Sequence, residues 1–453
     1  MRLLIILILI ITASTSERAE AARRKTDRER FEEKQRLRKL ERDKALGIDR
    51  RRKLVKFEPP AGSASVEARA FENDGKDRTI DQSLTLGATL DLQFSTRKIE
   101  SRAWNFARFD LLNSDRYLIL PYENYFGLKS SSYNARVGFQ IENWSMLEVF
   151  NPSDVFNSRN LDSEIHDQEK IGEVALSFKY QLNNGTVAFY YMPFFFSPNY
   201  PVETARLSPL PSEYIGGAPK FLKDGDFADH FGSAQQYALR LTQKWGDADV
   251  AAHYIEHIDR NQPVAVFDPL ASQPFFVFMP VRQIGFNGVL PAGDFLVKWD
   301  LVNRNFPASF VSERYGTVEQ KSHSVAAAGL EYSIGHASGS ESVLLLEHQR
   351  MLVDDMVARR KLGTFANDVV TGYRYNFGDV DDSTVEGLGI WDLDHSGEVL
   401  AAVTAKRRFG ANIKVSAGYR MIIAPATPGE SKEGSLQAYD DADFGFVNIA
   451  YYF

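Results

Sequence analysis

Apolar and polar residues alternate strictly in many segments of the chain beyond residue 82. Within residues 84–94 every second residue is apolar, and the residues between are polar or glycine. The same period of two returns within residues 133–141 and 174–180, and at several later places. Successive side chains of a β-strand point to opposite faces of the sheet, so this period predicts strands with one apolar and one polar face.

The length of these segments favours a membrane-crossing sheet. Segments such as 84–94 and 133–141 have the ~9–11 residues that a tilted strand needs to cross a bilayer, whereas a soluble strand usually has ~5–6. Hydrocarbon offers no partner to backbone N–H and C=O groups, so such a sheet must close on itself. The predicted fold class is all-β: a transmembrane antiparallel β-barrel formed by residues 82–453. Seventeen candidate strands are found, and because bacterial single-chain barrels have even numbers we predict sixteen, with fourteen and eighteen as alternatives.

The composition excludes several other classes of protein. The longest aliphatic run, from Leu3 to Ile11, is too short for a membrane helix, which needs ~20 residues. Together with the basic start and the small residues that follow, this run predicts a signal peptide at residues 1–21. The chain of 453 residues contains no cysteine. A disulfide scaffold, a thiolate nucleophile and a cysteine-ligated metal site are therefore excluded.

The charge divides the chain into two parts. Residues 1–57 contain 18 Lys and Arg against 9 Asp and Glu, a net charge of +9, whereas the remaining residues contain 35 against 51, a net charge of −16. Residues 22–57 are rich in helix formers, which predicts a basic helical extension on the periplasmic side, and residues 58–81 are predicted to be a linker. Three interpretations of this extension remain open: a coiled coil, a segment that binds an anionic envelope polymer, and a solvated extension.

The polar faces of the predicted strands carry the candidate chemistry. If the apolar faces contact lipid, the barrel lumen receives the basic candidates Arg136, Lys179, Arg240, Lys298, Arg374, Lys414 and Arg420, together with a similar number of acidic residues. A lumen of mixed charge predicts a channel for passive diffusion of small solutes. The alternatives are a non-conducting or plugged barrel that acts as an envelope scaffold, a channel for apolar or aromatic compounds, and, as a weaker interpretation, an outer-membrane hydrolase.

Two segments, 144–171 and 194–233, are too long for periplasmic turns and are expected on the outer face, where one of them could fold inward. The first contains Trp144, Asp154 and Arg159, which we predict as residues of a loop that constricts the lumen. Its Asn151-Pro152-Ser153-Asp154 sequence predicts a type I turn.

Two motifs resemble metal sites but are explained better by strands and turns. His253, Glu256 and His257 match the HxxEH order of a zinc site, but in a strand the histidines would share one face and Glu256 would point to the other. Asp392 to Gly397 resembles the opening of a calcium loop, but Val403 stands where the loop needs Glu, so a hairpin turn is predicted. No catalytic constellation and no nucleic-acid platform are found, so we predict no enzyme activity, no metal, no cofactor and no nucleic-acid partner.

The carboxyl terminus carries a more specific signal. Val447, Ile449, Tyr451 and Phe453 place an apolar or aromatic residue at every second position up to a final Phe. In this feature the chain resembles Gram-negative outer-membrane β-barrel proteins of porin-like type. The resemblance implies a location in the cell outer membrane, contact with outer-membrane lipid, and delivery to the barrel-assembly machinery.

Overall fold

One continuous antiparallel sheet that closes on itself dominates the computed structural model. The structure describes residues 55–72, 80–202, 205–208, 220–229, 231–268, 273–353, 355–425, 434–440 and 442–453. The predicted signal peptide, at residues 1–21, and residues 22–54 of the predicted extension lie outside the described residues. Among the described residues, no helix is long and apolar enough to cross a membrane.

Eighteen strands form the barrel wall, each paired with its neighbours in chain order. They are β1 (Ala61–Phe71), β2 (Gln82–Thr96), β3 (Ile99–Asp110), β4 (Leu118–Lys129), β5 (Tyr133–Gln140), β6 (Glu173–Gln181), β7 (Gly185–Phe196), β8 (Phe231–Trp245), β9 (Ala248–Ile258), β10 (Pro280–Ala292), β11 (Phe295–Asn305), β12 (His323–Gly335), β13 (Glu341–Leu352), β14 (Asn367–Asn376), β15 (Thr384–Asp392), β16 (Val399–Phe409), β17 (Ile413–Ile423) and β18 (Phe444–Tyr452). The nineteenth strand of the sheet, Val55–Phe57, pairs with the end of β2. Strand β1 pairs with both β2 and β18 and so closes the barrel.

This architecture corrects the predicted strand number from sixteen to eighteen. Each of the seventeen predicted segments overlaps a barrel strand, and the additional strand is β1, which lies in the segment predicted as a linker. Its outward residues include Ala64 and Ala68, which are too small to give a strong apolar signal. The helix predicted for residues 22–57 is also corrected at its end, because Val55–Phe57 is an extended strand.

The two faces of the barrel wall differ as the alternation predicts. Outward residues such as Leu90, Leu239 and Ile284 are 45%, 50% and 61% exposed, whereas the inward residues Arg240 and Asn287 are buried. An apolar outer face on a closed sheet is the arrangement that a bilayer requires. The four carboxyl-terminal residues predicted as an assembly signal, Val447, Ile449, Tyr451 and Phe453, are all exposed on the outer face of the last strand.

The connections at the two ends of the barrel differ in length. The end that holds Ala61 and Phe453 has short connections, such as 97–98 and 246–247, whereas the other end has the long connections 141–172, 197–230 and 259–279. Short turns lie on the periplasmic side of outer-membrane barrels and long loops on the extracellular side. Backbone hydrogen bonds between Gly62 and Phe453, of 3.2 and 3.1 Å, join the first strand to the end of the chain at the periplasmic rim of the barrel.

The long connections contain short elements of their own. These are the strands Arg159–Asn160, Glu169–Lys170, Lys220–Lys223, Asp226–Asp229, Val264–Asp268, Gln273–Phe278, Ser309–Ser312 and Gly316–Glu319, the 3-10 helices Ser114–Arg116 and Leu436–Tyr439, and the α-helix α1 (Met356–Arg360). One of the seventeen candidate strands, predicted at residues 274–286, is divided in the structure, because Gln273–Phe278 belongs to a four-stranded sheet of the extracellular loops. Pro280 begins β10, a position where the absence of an N–H group is tolerated.

A hydrophobic cluster fills part of the extracellular half of the barrel. Leu147, Phe150 and Ile165 of the 141–172 connection pack there against inward residues of the wall and against Leu436 and Tyr439. The wall residues of this cluster are Ala327, Leu345, Val370, Ile390, Leu400, Ile422 and Phe444. Loops therefore supply a core inside this half of the barrel.

Candidate solute pathway

The connection 141–172, called the inner loop below, runs inside the barrel. Its Trp144 is 1% exposed, and the carbonyl oxygen of Trp144 accepts hydrogen bonds from Arg240 (2.8 Å) on β8 and Asn287 (2.5 Å) on β10. The Trp144 ring also lies 5.0 Å from the His253 ring and 5.3 Å from the Arg240 guanidinium carbon. The predicted constriction residue Trp144 is thus held against the lumen side of the wall.

Two buried carboxylates on the wall hold the next part of the inner loop. Glu347 on β13 accepts backbone N–H groups from Glu148, Val149 and Phe150 at 2.6, 3.0 and 3.1 Å. Asp300 on β11 accepts the backbone N–H of Ser153 at 3.1 Å and also the Ser153 hydroxyl. Both carboxylates are 0% exposed. A carboxylate that accepts several backbone N–H groups fixes both the position and the direction of the backbone.

A buried lysine supports the same contact. The Lys298 ammonium group on β11 lies 2.8 Å from Glu148 of the inner loop and 3.0 Å from Glu331 on β12. A buried charge needs such partners, because its transfer from water is costly. The predicted lumen residue Lys298 therefore links the wall to the inner loop.

The later part of the inner loop crosses to the opposite wall. Asp162 pairs with Arg108 on β3 and with Arg116 at 3.1 Å, and Glu164 pairs with Arg420 on β17 at 3.0 Å. Burial raises the pKa of Glu164, but the charges of Arg420 and the nearby Arg69 hold it below its usual range. The inner loop thus spans the lumen between two sides of the barrel.

The other two predicted constriction residues contact each other within the inner loop. Arg159 lies 3.0 Å from Asp154, and Lys170 also pairs with Asp154. Burial raises the pKa of Asp154, but the charges of Lys170 and Arg159 hold it below its usual range. The N–H of Asp154 donates to the carbonyl of Asn151 at 3.0 Å, which closes the turn predicted at residues 151–154.

The periplasmic half of the lumen is lined by partly exposed ion pairs. Arg136 lies 2.7 Å from Glu100, and Lys179 lies 2.6 Å from Glu142. These two basic residues and Lys129 line a cavity of about 400 Å³ next to the periplasmic turns. The lumen on this side therefore presents both signs of charge to water.

All seven basic lumen candidates lie on inward positions of their strands. Arg136, Lys179, Lys298 and Arg420 form the ion pairs described above, and Arg240 binds the inner loop. Arg374 is 1% exposed and stands across from Glu386 of β15, whereas Lys414 on β17 is partly exposed. The basic side chains are distributed around the wall and do not form a single patch.

The alternation places Asp300 on the lumen face, but the sequence does not identify Asp300 and Glu347 as the residues that hold the inner loop. Glu347 and Asp300 occupy inward positions of alternating strands, which is the only local signal that they carry. Nothing in the alternation distinguishes a carboxylate that faces water from one that binds a distant backbone segment.

The HxxEH motif lies on β9 with the geometry expected of a strand. His253 and His257 are buried on the lumen face, whereas Glu256 faces outward and pairs with Arg282 at 3.1 Å. His253 Nε2 lies 3.0 Å from Gln283 Nε2. The residues of the motif are therefore not brought together around one point.

Comparisons with known proteins place this geometry in a structural class. No protein-family model and no curated protein sequence matches the chain. Solved structures with a similar fold include Pseudomonas aeruginosa OccK2 (OpdF) in complex with glucuronate, with 10% identity, a TM-score of 0.50, and coverage of 88% of this chain and 97% of that chain. P. aeruginosa OccK5 (OpdH) has 12% identity, a TM-score of 0.49, and coverage of 88% and 97%. Acinetobacter baumannii OccAB1 has 10% identity, a TM-score of 0.49, and coverage of 87% and 94%.

At such low identity the likeness concerns the fold. The predicted resemblance to porin-like outer-membrane β-barrel proteins is confirmed at this level by the closed barrel and by its likeness to the OccK2 structure. The closed sheet with its apolar outer face lies in the cell outer membrane.

We expect the inner loop to respond to pH through Glu169. The carboxylate of Glu169 accepts a hydrogen bond from the Tyr122 hydroxyl and another from Asn160 (2.9 Å), and burial raises its pKa to about 7. Because the pKa of Glu169 is raised in the folded loop, protonation of Glu169 stabilises the folded loop fully at pH values below the ordinary pKa of a glutamate. This stabilisation is lost as the pH rises through 7. Lowering the pH from 8 to about 5 should therefore slow proteolysis of the inner loop.

The matched variant for this test is Glu169→Gln, which stays neutral at every pH. Its proteolysis rate should show a weaker dependence on pH in the same range. The ion pairs of Asp154 and Glu164 should persist through this range, because the pKa values of both groups are lowered. An equally strong pH dependence in Glu169→Gln would contradict the assignment.

Proposed function

We propose that this protein is a porin-like channel of the outer membrane, through which small polar solutes diffuse passively. The observation that carries the proposal is the inner loop, which lies inside the barrel and is anchored to the wall by Glu347, Asp300 and Lys298. In this proposal the fixed loop narrows the barrel and leaves part of its cross-section open to solutes. Trp144, Asp154 and Arg159 belong to this constriction in the proposal.

The charges of the lumen support a polar solute. Arg102 lies 2.6 Å from Asp91, and Lys406 lies 2.7 Å from Glu386, in addition to the pairs of Arg136 and Lys179. Side chains that are already paired offer hydrogen bonds to a passing solute but only a weak net field. We therefore propose weak charge selectivity.

Planar-bilayer recording of the refolded protein tests the channel. We expect discrete conductance steps whose size grows with salt concentration. Refolding is checked separately by heat-modifiable gel migration, so a silent preparation that is fully folded would contradict the proposal.

A plugged barrel is the second candidate, and the hydrophobic cluster in the extracellular half favours it. In such a barrel Phe150, Ile165 and Tyr439 would form a permanent core rather than the side of a passage. Swelling of liposomes in a small sugar distinguishes the two functions, because a plugged barrel would give no swelling above that of empty liposomes.

We also propose partners outside the lumen. Val447, Ile449, Tyr451 and Phe453 are proposed to be read by the barrel-assembly machinery, and the basic extension is proposed to bind an anionic envelope polymer. Residues 22–54 contain 15 Lys and Arg against 7 Asp and Glu. Such an attraction is screened by salt, because the Debye length is ~8 Å at physiological ionic strength.

Deletion of residues 22–54 with the signal retained should leave the barrel assembled, because it removes none of β1 to β18. Binding of the purified protein to a cross-linked anionic polysaccharide should fall, and the difference from the full chain should disappear at high salt. A variant with glutamine in place of the lysines and arginines of this segment is the matched control for charge. Loss of the assembled barrel on deletion would show that the extension takes part in folding.

A further inference from the structure

Acidic residues and a histidine lie together at the extracellular rim of the barrel, where β14 begins and β15 turns into β16. One candidate ligand atom from each of Asp392, His395 and Glu398 lies within 4.8 Å of the other two. Asp368 on β14 is the direct cross-strand neighbour of Asp392. We call Asp368, Asp392, His395 and Glu398 the rim cluster.

The backbone around the rim cluster is well defined. Asp392 Oδ1 accepts the N–H groups of Asp394 (2.6 Å) and His395 (2.9 Å), which forms the hairpin turn that the sequence predicts. Asp392 Oδ2 lies 2.8 Å from His395 Nδ1. Glu398 accepts the Ser435 hydroxyl at 2.5 Å and the N–H of Leu436 at 2.8 Å, so the cluster also contacts the 424–443 connection.

Asp394, which lies next to the rim cluster in the chain, is paired with an arginine side chain. Arg359 of α1 binds both oxygens of Asp394, at 2.6 and 2.8 Å, and Asn367 donates a hydrogen bond to Asp394 at 2.8 Å. Arg359 therefore forms its bidentate ion pair with Asp394, and its charge also acts on Asp392 of the rim cluster.

Asp368 supplies an observation that is independent of the cluster's acidity. It is 1% exposed, and its Oδ2 accepts the N–H of Asn367 at 2.9 Å. Its Oδ1 is buried and has no hydrogen-bond partner among the described residues. Asp368 stands opposite Asp392 on the inward face, and its carboxylate interacts electrostatically with Asp392, Asp394 and Glu398. A buried carboxylate next to others is costly without a compensating positive charge.

We propose that the rim cluster binds a divalent transition-metal ion of the zinc type. Imidazole and carboxylate groups together favour such an ion over Ca²⁺ or Mg²⁺, which prefer oxygen ligands alone. The ion supplies the positive charge that the buried carboxylates need, with small side-chain rotations bringing the ligands to the ~2.0–2.2 Å that zinc requires. The bound ion ties β14, the 393–398 hairpin and, through Glu398, the 424–443 connection into one rigid rim.

Zinc titration of the refolded full-length barrel without a polyhistidine tag tests the proposal. Isothermal calorimetry should show one zinc ion bound per chain in the wild type. His395→Ala and Asp368→Asn should each weaken binding about tenfold or more. His336→Ala is the matched control, because His336 lies at the periplasmic end and bonds Ser342 at 2.7 Å.

Each outcome decides the proposal. Weaker binding in both rim variants, with unchanged binding in His336→Ala, supports it. Absence of zinc binding in the wild type, equal binding in all variants, or binding of Ca²⁺ or Mg²⁺ in preference to zinc overturns it. Heat-modifiable migration shows that each variant is folded, and Asp368→Asn, which preserves the side-chain shape, gives the decisive comparison if His395→Ala does not fold.

Discussion

Replacing Glu347 by alanine should detach the inner loop from the barrel wall. The Glu347 carboxylate accepts three consecutive backbone N–H groups, those of Glu148, Val149 and Phe150, and is 0% exposed. Leaving a buried donor unsatisfied costs ~1–3 kcal/mol, so loss of the three bonds should weaken docking of the loop by about 3 kcal/mol or more. A free-energy change of ~1.4 kcal/mol corresponds to a tenfold change in an equilibrium constant. The equilibrium constant for docking of the inner loop on the wall should therefore fall at least about a hundredfold.

Single-channel recording measures this effect directly. We expect Glu347→Ala to show larger and noisier conductance steps than the wild type, together with faster proteolysis between residues 141 and 172. Glu256→Ala is the matched control, because Glu256 is an exposed glutamate on β9 that pairs with exposed Arg282. Conductance and proteolysis that are unchanged in Glu347→Ala would show that the inner loop is held by other contacts.

The second large effect concerns the buried pair of Arg260 and Glu173, which joins the 259–279 connection to β6. The two side chains are 2.9 Å apart and both are 0% exposed. Arg260→Met should destabilise the barrel by about 3–5 kcal/mol, because it leaves the Glu173 carboxylate buried without its counter-charge. Urea unfolding of the refolded protein, followed by heat-modifiable migration, measures the loss of free energy of unfolding.

The chain offers a matched pair for this experiment. Arg282 and Glu256 are also an arginine and a glutamate, 3.1 Å apart, but their side chains are 52% and 44% exposed. Arg282→Met should change the free energy of unfolding by about 1 kcal/mol or less, because the pair lies two residues from the extracellular ends of β9 and β10, near the membrane surface, where solvent-exposed pairs are weak. The double variant Glu173→Gln with Arg260→Met should recover part of the stability lost in Arg260→Met. Equal effects of Arg260→Met and Arg282→Met would refute the role of burial.

The predicted strands and the observed barrel differ most at β1. The alternation of Leu84 to Phe94 is strong because large apolar side chains face lipid, whereas Ala64 and Ala68 of β1 give a weak signal. Strand β1 becomes visible through its pairing, in which Val66 lies opposite both Ile449 and Leu86. Closure of a barrel is a contact between the two ends of the sheet, so a local pattern does not reveal it.

The contacts of the inner loop also could not be read from local sequence patterns. The inward position of Lys298 follows from its place in an alternating strand, and the same is true of Arg420. Their partners, Glu148 and Glu164, come from a connection whose sequence has no period of two. Sequence reasoning therefore identified the lumen face but not the contacts that hold the inner loop.

The sequence by itself determined the class of fold, the outward and inward faces of most strands, and the end of the barrel that carries the long loops. These properties depend on local periodicity and segment length. Each strand has its own alternating pattern, because lipid contacts one of its two faces. The tertiary structure alone decided the closing strand, the path of the inner loop and the pairing of buried charges. Such contacts join residues far apart in the chain, as Glu148 and Glu347 are, at a separation of 199 positions. Their energy depends on burial and geometry, which exist only after the sheet has closed.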